Sequence, residues 1–163
     1  MKKSKVPEED QYKILAAFER ERDNIIKMFK EIFAFPYVEE TTMVMLEALT
    51  DTAGIGFDVY PNYEPMERAP LTEAHRGSNV IRPGDIVSGG SVPLGEVFDD
   101  EELLWSDRLD SYLFVAEKLL VKWLGKRMKE VEGYDTFPYP ICICFEGDEP
   151  YYWDLATGKR LRV

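Results

Sequence analysis

The chain has 163 residues, of which 45% are hydrophobic and 13% aromatic, and its 31 acids against 20 bases give a formal net charge of −11 at pH 7. This length and apolar content suffice for one domain with its own core, so we expect neither wholesale disorder nor a need for metal or disulfide cross-links. The acidic balance argues against direct binding to nucleic acid or to anionic membranes, since both repel an anionic chain.

The N-terminal segment and the hydropathy of the chain bear on its location. The first residues, MKKSKVPEEDQYK, are basic and then acidic, and no apolar stretch follows them as it would in a secretory signal. No run approaches the roughly eighteen apolar residues of a membrane-spanning helix. We therefore expect a cytoplasmic protein with no membrane partner, folded as a single domain over residues 1–163.

An amphipathic helix is predicted near the N-terminus, over residues 8–35. Its apolar side chains recur at intervals of three and four, with charged residues between them, as on a helix that places one face on a core. The acids at 8–10 suit the positive N-terminal end of such a helix, and Pro36 ends it. The apolar positions are Ile14, Leu15, Phe18, Ile25, Phe29, Ile32 and Phe33.

The next segment, TTMVMLEALTDTAGIGFDVYPNY, contains one clear strand and one ambiguous element. Apolar residues of IGFDVY alternate with glycine and aspartate, which predicts a strand over 55–60. In 41–49, threonine and valine favour a strand, whereas methionine, leucine and glutamate fit a helix nearly as well. We favour a hairpin that turns at DTAG, residues 51–54, and keep the helix as the alternative.

Residues 61–95 are predicted to form loops and short strands, because turn-forming residues are frequent there. Within this segment, NVIRPGDIVSGG predicts two short strands joined by a Pro-Gly-Asp turn. The segment contains no clean linker, so it does not divide the domain.

A long helix is predicted after this segment, within residues 99–133. Four acids precede it and four bases lie near its end, an arrangement that matches the helix dipole. Ser106 is expected to cap the main helix after a short preliminary turn, and Gly133 is expected just beyond the helix end. The predicted buried stripe comprises Leu109, Tyr112, Leu113, Ala116, Leu120, Trp123 and Leu124.

The C-terminal segment, ICICFEGDEPYYWDLATGKRLRV, predicts three antiparallel strands joined by turns at EGDEP and ATGK. The isoleucines and phenylalanine of the first strand face one side and its two cysteines the other, as in an interior strand with two apolar faces. Tyr152 and Asp154 are expected beside the arginines of the last strand. All elements together predict an α+β fold, in which the N-terminal amphipathic helix and the long helix of the C-terminal half pack on an antiparallel sheet that includes this meander.

Residues able to carry catalysis or to bind a metal are few. A structural zinc site needs four ligands, whereas the chain has two cysteines, Cys142 and Cys144, and one histidine, His75. Thiols within an apolar strand are poor nucleophiles because burial raises their pKa. The chain also lacks the sequence patterns of a phosphate-binding loop and of a nucleophile elbow. We therefore predict no catalytic residue, metal or cofactor, and keep an enzyme with a site around His75 and Asp85 as a less favoured alternative.

The acids are unevenly distributed along the chain. Residues 34–67 and 130–158 each contain seven acids and no lysine or arginine, and residues 96–110 contain seven acids and one arginine. Such runs usually form a solvated surface, but they also suit an acidic surface that steers a basic partner. The predicted partner-binding residues are Asp99, Asp100, Glu101, Glu102, Glu146, Asp148, Glu149 and Tyr152.

Size, acidity and the lack of a catalytic motif make the chain similar in type to bacterial immunity proteins and antitoxins, and to phage-borne inhibitors of nucleic-acid enzymes. The similarity implies a neutralising inhibitor whose partner is a basic protein, such as a toxin or nuclease with a basic cleft. The main alternative is an accessory or self-assembling structural subunit, including a homodimer. That alternative predicts an apolar surface patch, formed by Leu103, Leu104, Leu119 and Val121.

Overall fold

A computed structural model describes residues 6–37, 39–65, 67–68 and 90–163, and four α-helices and seven strands lie within these ranges. The helices are α1 (Glu8–Arg20), α2 (Arg22–Ala34), α3 (Glu101–Leu104) and α4 (Leu109–Lys129), and a 3₁₀ turn follows at Tyr134–Thr136. The strands are β1 (Met43–Asp51), β2 (Gly54–Glu64), β3 (Glu67–Arg68), β4 (Gly90–Pro93), β5 (Ile141–Phe145), β6 (Tyr151–Asp154) and β7 (Arg160–Arg162).

The described strands form a single sheet in the order β3-β2-β1-β5-β6-β7, and β4 also pairs with β2. The predicted α+β fold and its C-terminal three-stranded meander, β5-β6-β7, are confirmed. The sheet is mixed, since β1 and β5 run parallel while the other pairs are antiparallel. The parallel pair joins the N-terminal hairpin to the C-terminal meander, and α4 lies between these two units in the chain.

The hairpin predicted to turn at residues 51–54 is confirmed and extends over 43–64, and its turn is stabilised by Asp51. The Asp51 carboxylate accepts hydrogen bonds from the backbone N–H groups of Ala53 (2.7 Å) and Gly54 (3.1 Å). Gly54 has a φ of +152°, and an added Cβ there would lie 2.4 Å from the carbonyl oxygen of Val92. The strand β2 continues to Glu64, so the loop predicted from residue 61 begins later than expected. Most of the remaining loop prediction, including residues 79–89, lies outside the described residues.

The helix predicted over 8–35 forms as two helices that meet at Glu21. There the backbone N–H of Glu21 donates to the carbonyl of Phe18 at 2.9 Å, a bond that tightens the last turn of α1. Phe18 on α1 and Phe29 on α2 are both fully buried. The break therefore lets each helix place its own apolar face on one core.

The long helix α4 buries the predicted stripe. Of the seven stripe residues, five are buried and the other two, Leu109 and Leu113, are partly buried against the same core. The expected preliminary turn is α3. The expected cap is wrong, because the residue that precedes α4 is Arg108 and no described side chain caps this helix; the Ser106 hydroxyl instead accepts from the backbone N–H of Arg108 at 3.3 Å, within the turn before α4. Gly133, with a φ of +98°, follows the helix end by four residues and precedes the 3₁₀ turn.

A charged cluster fastens α1 to α4. The carboxylate of Glu19 accepts from the indole N–H of Trp123 at 2.6 Å and from the guanidinium of Arg127 at 3.0 Å. Arg127 also pairs with Glu130 at 3.0 Å, and its side chain is only 7% exposed. The two carboxylates pair with the two terminal nitrogens of this nearly buried guanidinium, while its Nε–H has no partner among the described residues. The cluster thus links α1 to the C-terminal end of α4.

The two faces of the sheet have different surroundings. One face carries Val44, Leu46 and Ala48 of β1, which share a core with the buried residues of α1, α2 and α4. On the other face, Met43 and Met45 form a separate buried cluster with the two cysteines and the partly buried Tyr152. Both faces of β5 are thus buried, as predicted for an interior strand.

The expected contacts of Tyr152 and Asp154 with arginine are wrong. The register places Tyr152 opposite Leu161, whereas Arg160 and Arg162 lie opposite Trp153 and Tyr151 and so face the other side of the sheet. The Asp154 carboxylate instead accepts from the backbone N–H of Ala156 at 2.9 Å and stabilises the turn between β6 and β7.

Within the described part of the chain, no helix is both long enough and apolar enough to cross a membrane.

Candidate functional site

The sheet face that α1, α2 and α4 leave uncovered carries a concentration of acids around one exposed leucine. Side chains alternate between the faces of a strand, so Glu47, Leu49 and Asp51 of β1 project on the same side as the cysteines of β5. Leu49 is 54% exposed. We call the surface formed by Glu47, Leu49, Asp51, Gly56, Asp58, Glu146 and Glu149 the acidic face.

The pairing of β1 with β2 arranges the acidic face in rows. Glu47 lies opposite Asp58, and Leu49 lies opposite Gly56 in the next row. Cross-strand neighbours in such rows have Cβ atoms about 5 Å apart, and successive rows are about 7 Å apart along the strand. Leu49 therefore lies between two acids of the same strand, with Glu47 in the row before it and Asp51 in the row after it.

Two depressions open on the acidic face. The larger, of about 710 Å³, is lined by strands β1, β2 and β4 and by the turn between β1 and β2. The smaller, of about 400 Å³, lies between β1 and the end of β5 and is lined by Cys144, Glu146 and Glu149. Both depressions share Glu47, Leu49 and Asp58. Among the described residues that line the two depressions there is no lysine or arginine, and these residues are acidic and partly apolar.

Of the predicted partner-binding residues, Glu146 and Glu149 are exposed and line the smaller depression. Asp148, between them in sequence, instead forms an ion pair with Arg160. Tyr152 packs against the methionine and cysteine cluster, and burial raises the pKa of its hydroxyl. The structure thus places two acids of this predicted group beside β1 and β2, while Asp148 and Tyr152 make contacts within the molecule.

The other predicted group, 99–102, belongs to the helix side of the sheet. It is anchored by Phe98 and Leu103, which are buried in the core that the helices share. The Asp100 carboxylate caps α3 by accepting from the backbone N–H of Glu102 at 2.9 Å. All four acids are exposed. Because they lie on the opposite side from the acidic face, the two predicted groups do not form one surface.

Sequence reasoning missed the acids and the leucine that β1 and β2 contribute to the acidic face. Glu47, Leu49 and Asp51 alternate with Leu46, Ala48 and Thr50, and this period of two would have assigned a face to each residue once 41–49 was read as a strand. Trp105, in the turn between α3 and α4, was also missed, although it is 90% exposed. Trp123 lies on the predicted stripe of the long helix, whereas Trp105 precedes that stripe, so no periodic pattern assigns Trp105 to the core or to the surface.

The two cysteines are poorly suited to chemistry. Burial raises the pKa of both Cys142 and Cys144 to about 12, with smaller contributions from nearby carboxylates, so neither is a thiolate near neutral pH. In the described ranges, no group of three or more His, Cys, Asp or Glu side chains could hold a metal ion. His75 and Asp85, the residues of the enzyme alternative, lie outside the described residues.

The apolar patch predicted for a self-assembling subunit is covered within the chain. Leu103 and Val121 are buried, and Leu104 and Leu119 are partly buried against the core on the helix side. This observation weakens the alternative of an accessory or self-assembling subunit. No protein-family model, curated protein or solved structure matches this chain.

Proposed function

We propose that this protein is a neutralising inhibitor, of the immunity-protein or antitoxin type, that binds a basic protein in the cytoplasm. The partner class we favour is an enzyme that acts on nucleic acid, because such an enzyme must display a basic cleft to hold phosphates. The single observation that carries the proposal is the acidic face, where acids from β1, β2 and the loop after β5 surround the exposed Leu49.

The composition of the acidic face suits a protein partner. Interfaces draw most of their affinity from a few apolar or aromatic anchors at the centre and are surrounded by polar contacts. Leu49 provides an apolar centre, and the carboxylates around it provide the surrounding charge. An acidic surface also speeds the encounter with a basic partner, which an inhibitor of a damaging enzyme requires.

The net charge also supports a neutralising inhibitor. A chain with 31 acids and 20 bases is repelled by nucleic acid, so it would compete for a basic cleft without binding the substrate of the target. The two free cysteines fit the cytoplasm, where thiols stay reduced.

The test is affinity capture from the source cell with three forms of the protein. The unmodified protein is compared with the double variant Glu146→Lys/Glu149→Lys, which reverses charge on the acidic face. The control is Asp99→Lys/Glu101→Lys, which changes the net charge by the same amount on the helix side. We expect the unmodified protein and the control to capture the same basic protein, which salt releases, and the acidic-face variant to lose it.

Inhibition then has to be measured with the purified pair. We expect the captured protein to act on nucleic acid and to lose that activity on adding the unmodified protein but not the acidic-face variant. If only the helix-side variant loses the captured protein, the contact lies at 99–102 and the acidic face is not the site. If no basic protein is retained in a charge-dependent way, the inhibitor proposal is wrong.

A further inference from the structure

A further depression, of about 400 Å³, lies at the end of the sheet where β5 begins. Its walls come from the C-terminal part of α4, from the segment 134–141 and from the turn between β6 and β7. Met128 and Ile141, which line it, are buried. The acidic face, by contrast, extends past the other end of β5. We call the wall formed by Tyr134, Asp135, Phe137, Pro138, Tyr139 and Pro140 the aromatic groove.

The rings of Phe137 and Tyr139 are held in place by aromatic packing behind the groove. The ring centroid of Phe137 lies 4.9 Å from that of Phe33 on α2 and 5.6 Å from that of Tyr37. The ring centroid of Tyr139 lies 5.3 Å from that of Tyr37, and the planes of Phe137 and Tyr139 are nearly perpendicular, at 82°. Neither Phe33 nor Tyr37 lines the groove itself. The two rings therefore form a preformed apolar wall, which a ligand does not have to order.

Two polar groups of the aromatic groove are available to a ligand. The Tyr134 hydroxyl and the Asp135 carboxylate form no hydrogen bond or ion pair with any described residue. Tyr134 is half-buried and Asp135 is exposed. The Lys129 ammonium, near the rim, is engaged by the carbonyl of Ala156, to which it donates at 2.7 Å. The groove thus offers one hydroxyl donor and one unpaired negative charge beside its rings.

These features define the chemistry of the ligand. It needs apolar rings that pack on the aromatic wall, a carbonyl that accepts from the Tyr134 hydroxyl, and a cation beside Asp135. A proline-rich segment in the polyproline II conformation provides the first two, since it has no internal hydrogen bonds and its carbonyls are free to accept. Proline has no N–H that must be paired, and the segment is already extended, which lowers the entropy lost on binding. An adjoining arginine provides the cation.

We propose that the aromatic groove binds a proline-rich segment of a partner protein, with an arginine beside the prolines that pairs with Asp135. The rings of Tyr134, Phe137 and Tyr139 contact the proline rings, and the Tyr134 hydroxyl donates to a backbone carbonyl of the segment. The volume of about 400 Å³ lies within the range of ligand sites. This contact goes beyond the proposed inhibitor function and does not depend on it, because the groove and the acidic face lie at opposite ends of β5.

The first experiment titrates an acetylated and amidated peptide of six prolines and one arginine into the full chain. Backbone amide signals in NMR spectra report where it binds. We expect the signals of Tyr134, Tyr139 and Ala156 to shift together and to saturate, while those of Leu49 and Gly56 stay in place. The same peptide with alanine in place of every proline keeps the charge, and we expect at least tenfold weaker binding from it.

Three results would overturn the inference. Equal binding of the two peptides would show that the charge of the arginine alone drives the contact. Shifts confined to the acidic face would place the contact elsewhere. Shifts of the groove signals with protein concentration, in the absence of peptide, would show that a second copy of the chain occupies the groove.

The second experiment compares two double variants that remove the same chemical groups. Tyr134→Phe/Asp135→Asn changes the groove. The control, Tyr12→Phe/Glu8→Gln, changes α1, which contributes no residue to the groove and where the Tyr12 hydroxyl donates to Glu8 at 3.1 Å. We expect the groove variant to fold, because the groups that it removes have no partner among the described residues.

We expect only the groove variant to bind the proline peptide at least tenfold more weakly, and the control to bind it as the unmodified protein does. Unchanged binding by the folded groove variant would contradict the inference. If that variant did not fold, the comparison of the proline and alanine peptides in the unmodified protein would still decide.

Discussion

The chemistry of Cys142 and Cys144 is decided by their place in the sheet. Both are free and buried on the interior strand β5, and burial is the largest cause of their raised pKa. The Asp154 carboxylate adds to the effect on Cys142, and Glu47 and Glu149 add to the effect on Cys144. Removing a thiol proton in this position places a charge in an apolar cluster.

This burial predicts a loss of stability in alkali. The pKa of each thiol is raised from 9.0 to about 12, so the stability contributed by the protonated thiols is complete below pH 9 and is lost as pH rises to about 12. In that window each thiol lowers the free energy of unfolding by up to about 1.4 kcal/mol per pH unit. We expect the double variant Cys142→Ala/Cys144→Ala to have a lower free energy of unfolding at pH 7. As pH rises, however, this free energy should fall less steeply than in the unmodified protein.

The measurement is urea unfolding of both proteins at several pH values from about 8 to 11, with a reducing agent present. Tyrosines ionise in the same range in both proteins, so the difference between the two slopes reports the thiols together with their effect on the pKa of the neighbouring Tyr152. Parallel slopes would contradict the prediction and would mean that the cysteines are accessible to water.

At the scale of elements, the close approach of α4 to the β6–β7 turn depends on Gly125. A Cβ added at this helical glycine would lie 2.2 Å from the backbone carbonyl oxygen of Leu155. Helix propensity alone predicts that Gly125→Ala stabilises by up to about 1 kcal/mol. The clash with a backbone atom costs about 1 to 3 kcal/mol, because the turn or the helix must shift. We therefore expect net destabilisation, measured by urea unfolding.

The matched control is Gly56→Ala, at a glycine where the added Cβ meets nothing within 4 Å. Alanine restricts the unfolded chain more than glycine does, so we expect this variant to be unchanged or stabilised by up to about 1 kcal/mol. If Gly125→Ala were as stable as Gly56→Ala, the contact between α4 and the turn would not be tight in solution.

The elements that the sequence predicts well are those with a local signature. The stripe of α4 and the alternation of 141–145 follow from spacing along the chain, and both are confirmed. The break at Glu21 has no such signature, since neither glycine nor proline is present there. It follows instead from packing two helical faces on one core, a demand that only the assembled structure makes.

At the scale of the whole molecule, the parallel pairing of β1 with β5 decides which acids become neighbours. It brings Glu47 opposite Cys144, two residues before Glu146, although nearly a hundred residues separate these positions in sequence. Charge counts identified 34–67 and 130–158 as acidic segments but could not show that they meet. They also could not show that 99–102 lies on the other side of the sheet. Local sequence patterns do not specify how strands that are distant in the chain pair with one another.

The excess of acids also predicts how the free protein responds to salt. At a net charge of −11, repulsion among exposed carboxylates opposes the compact state. Added salt screens this repulsion, because the screening length falls from about 30 Å at 0.01 M to about 3 Å at 1 M. Exposed ion pairs such as Arg20–Glu96 weaken in salt as well, but pairs of this kind contribute little to stability. The nearly buried Arg127 is screened less. We therefore expect the loss of repulsion to outweigh the loss of attractive ion pairs when salt is added.

We expect the free energy of unfolding in urea at pH 7 to rise by about 1 kcal/mol or more between low salt and about 1 M sodium chloride. The rise should be smaller in Glu146→Lys/Glu149→Lys, where part of the repulsion on the acidic face is removed. Stability that falls with salt would show that the attractive pairs, including the cluster around Arg127, outweigh the repulsion. The acids would then contribute to the stability of the free protein, which would contradict a role for them in attracting a basic partner.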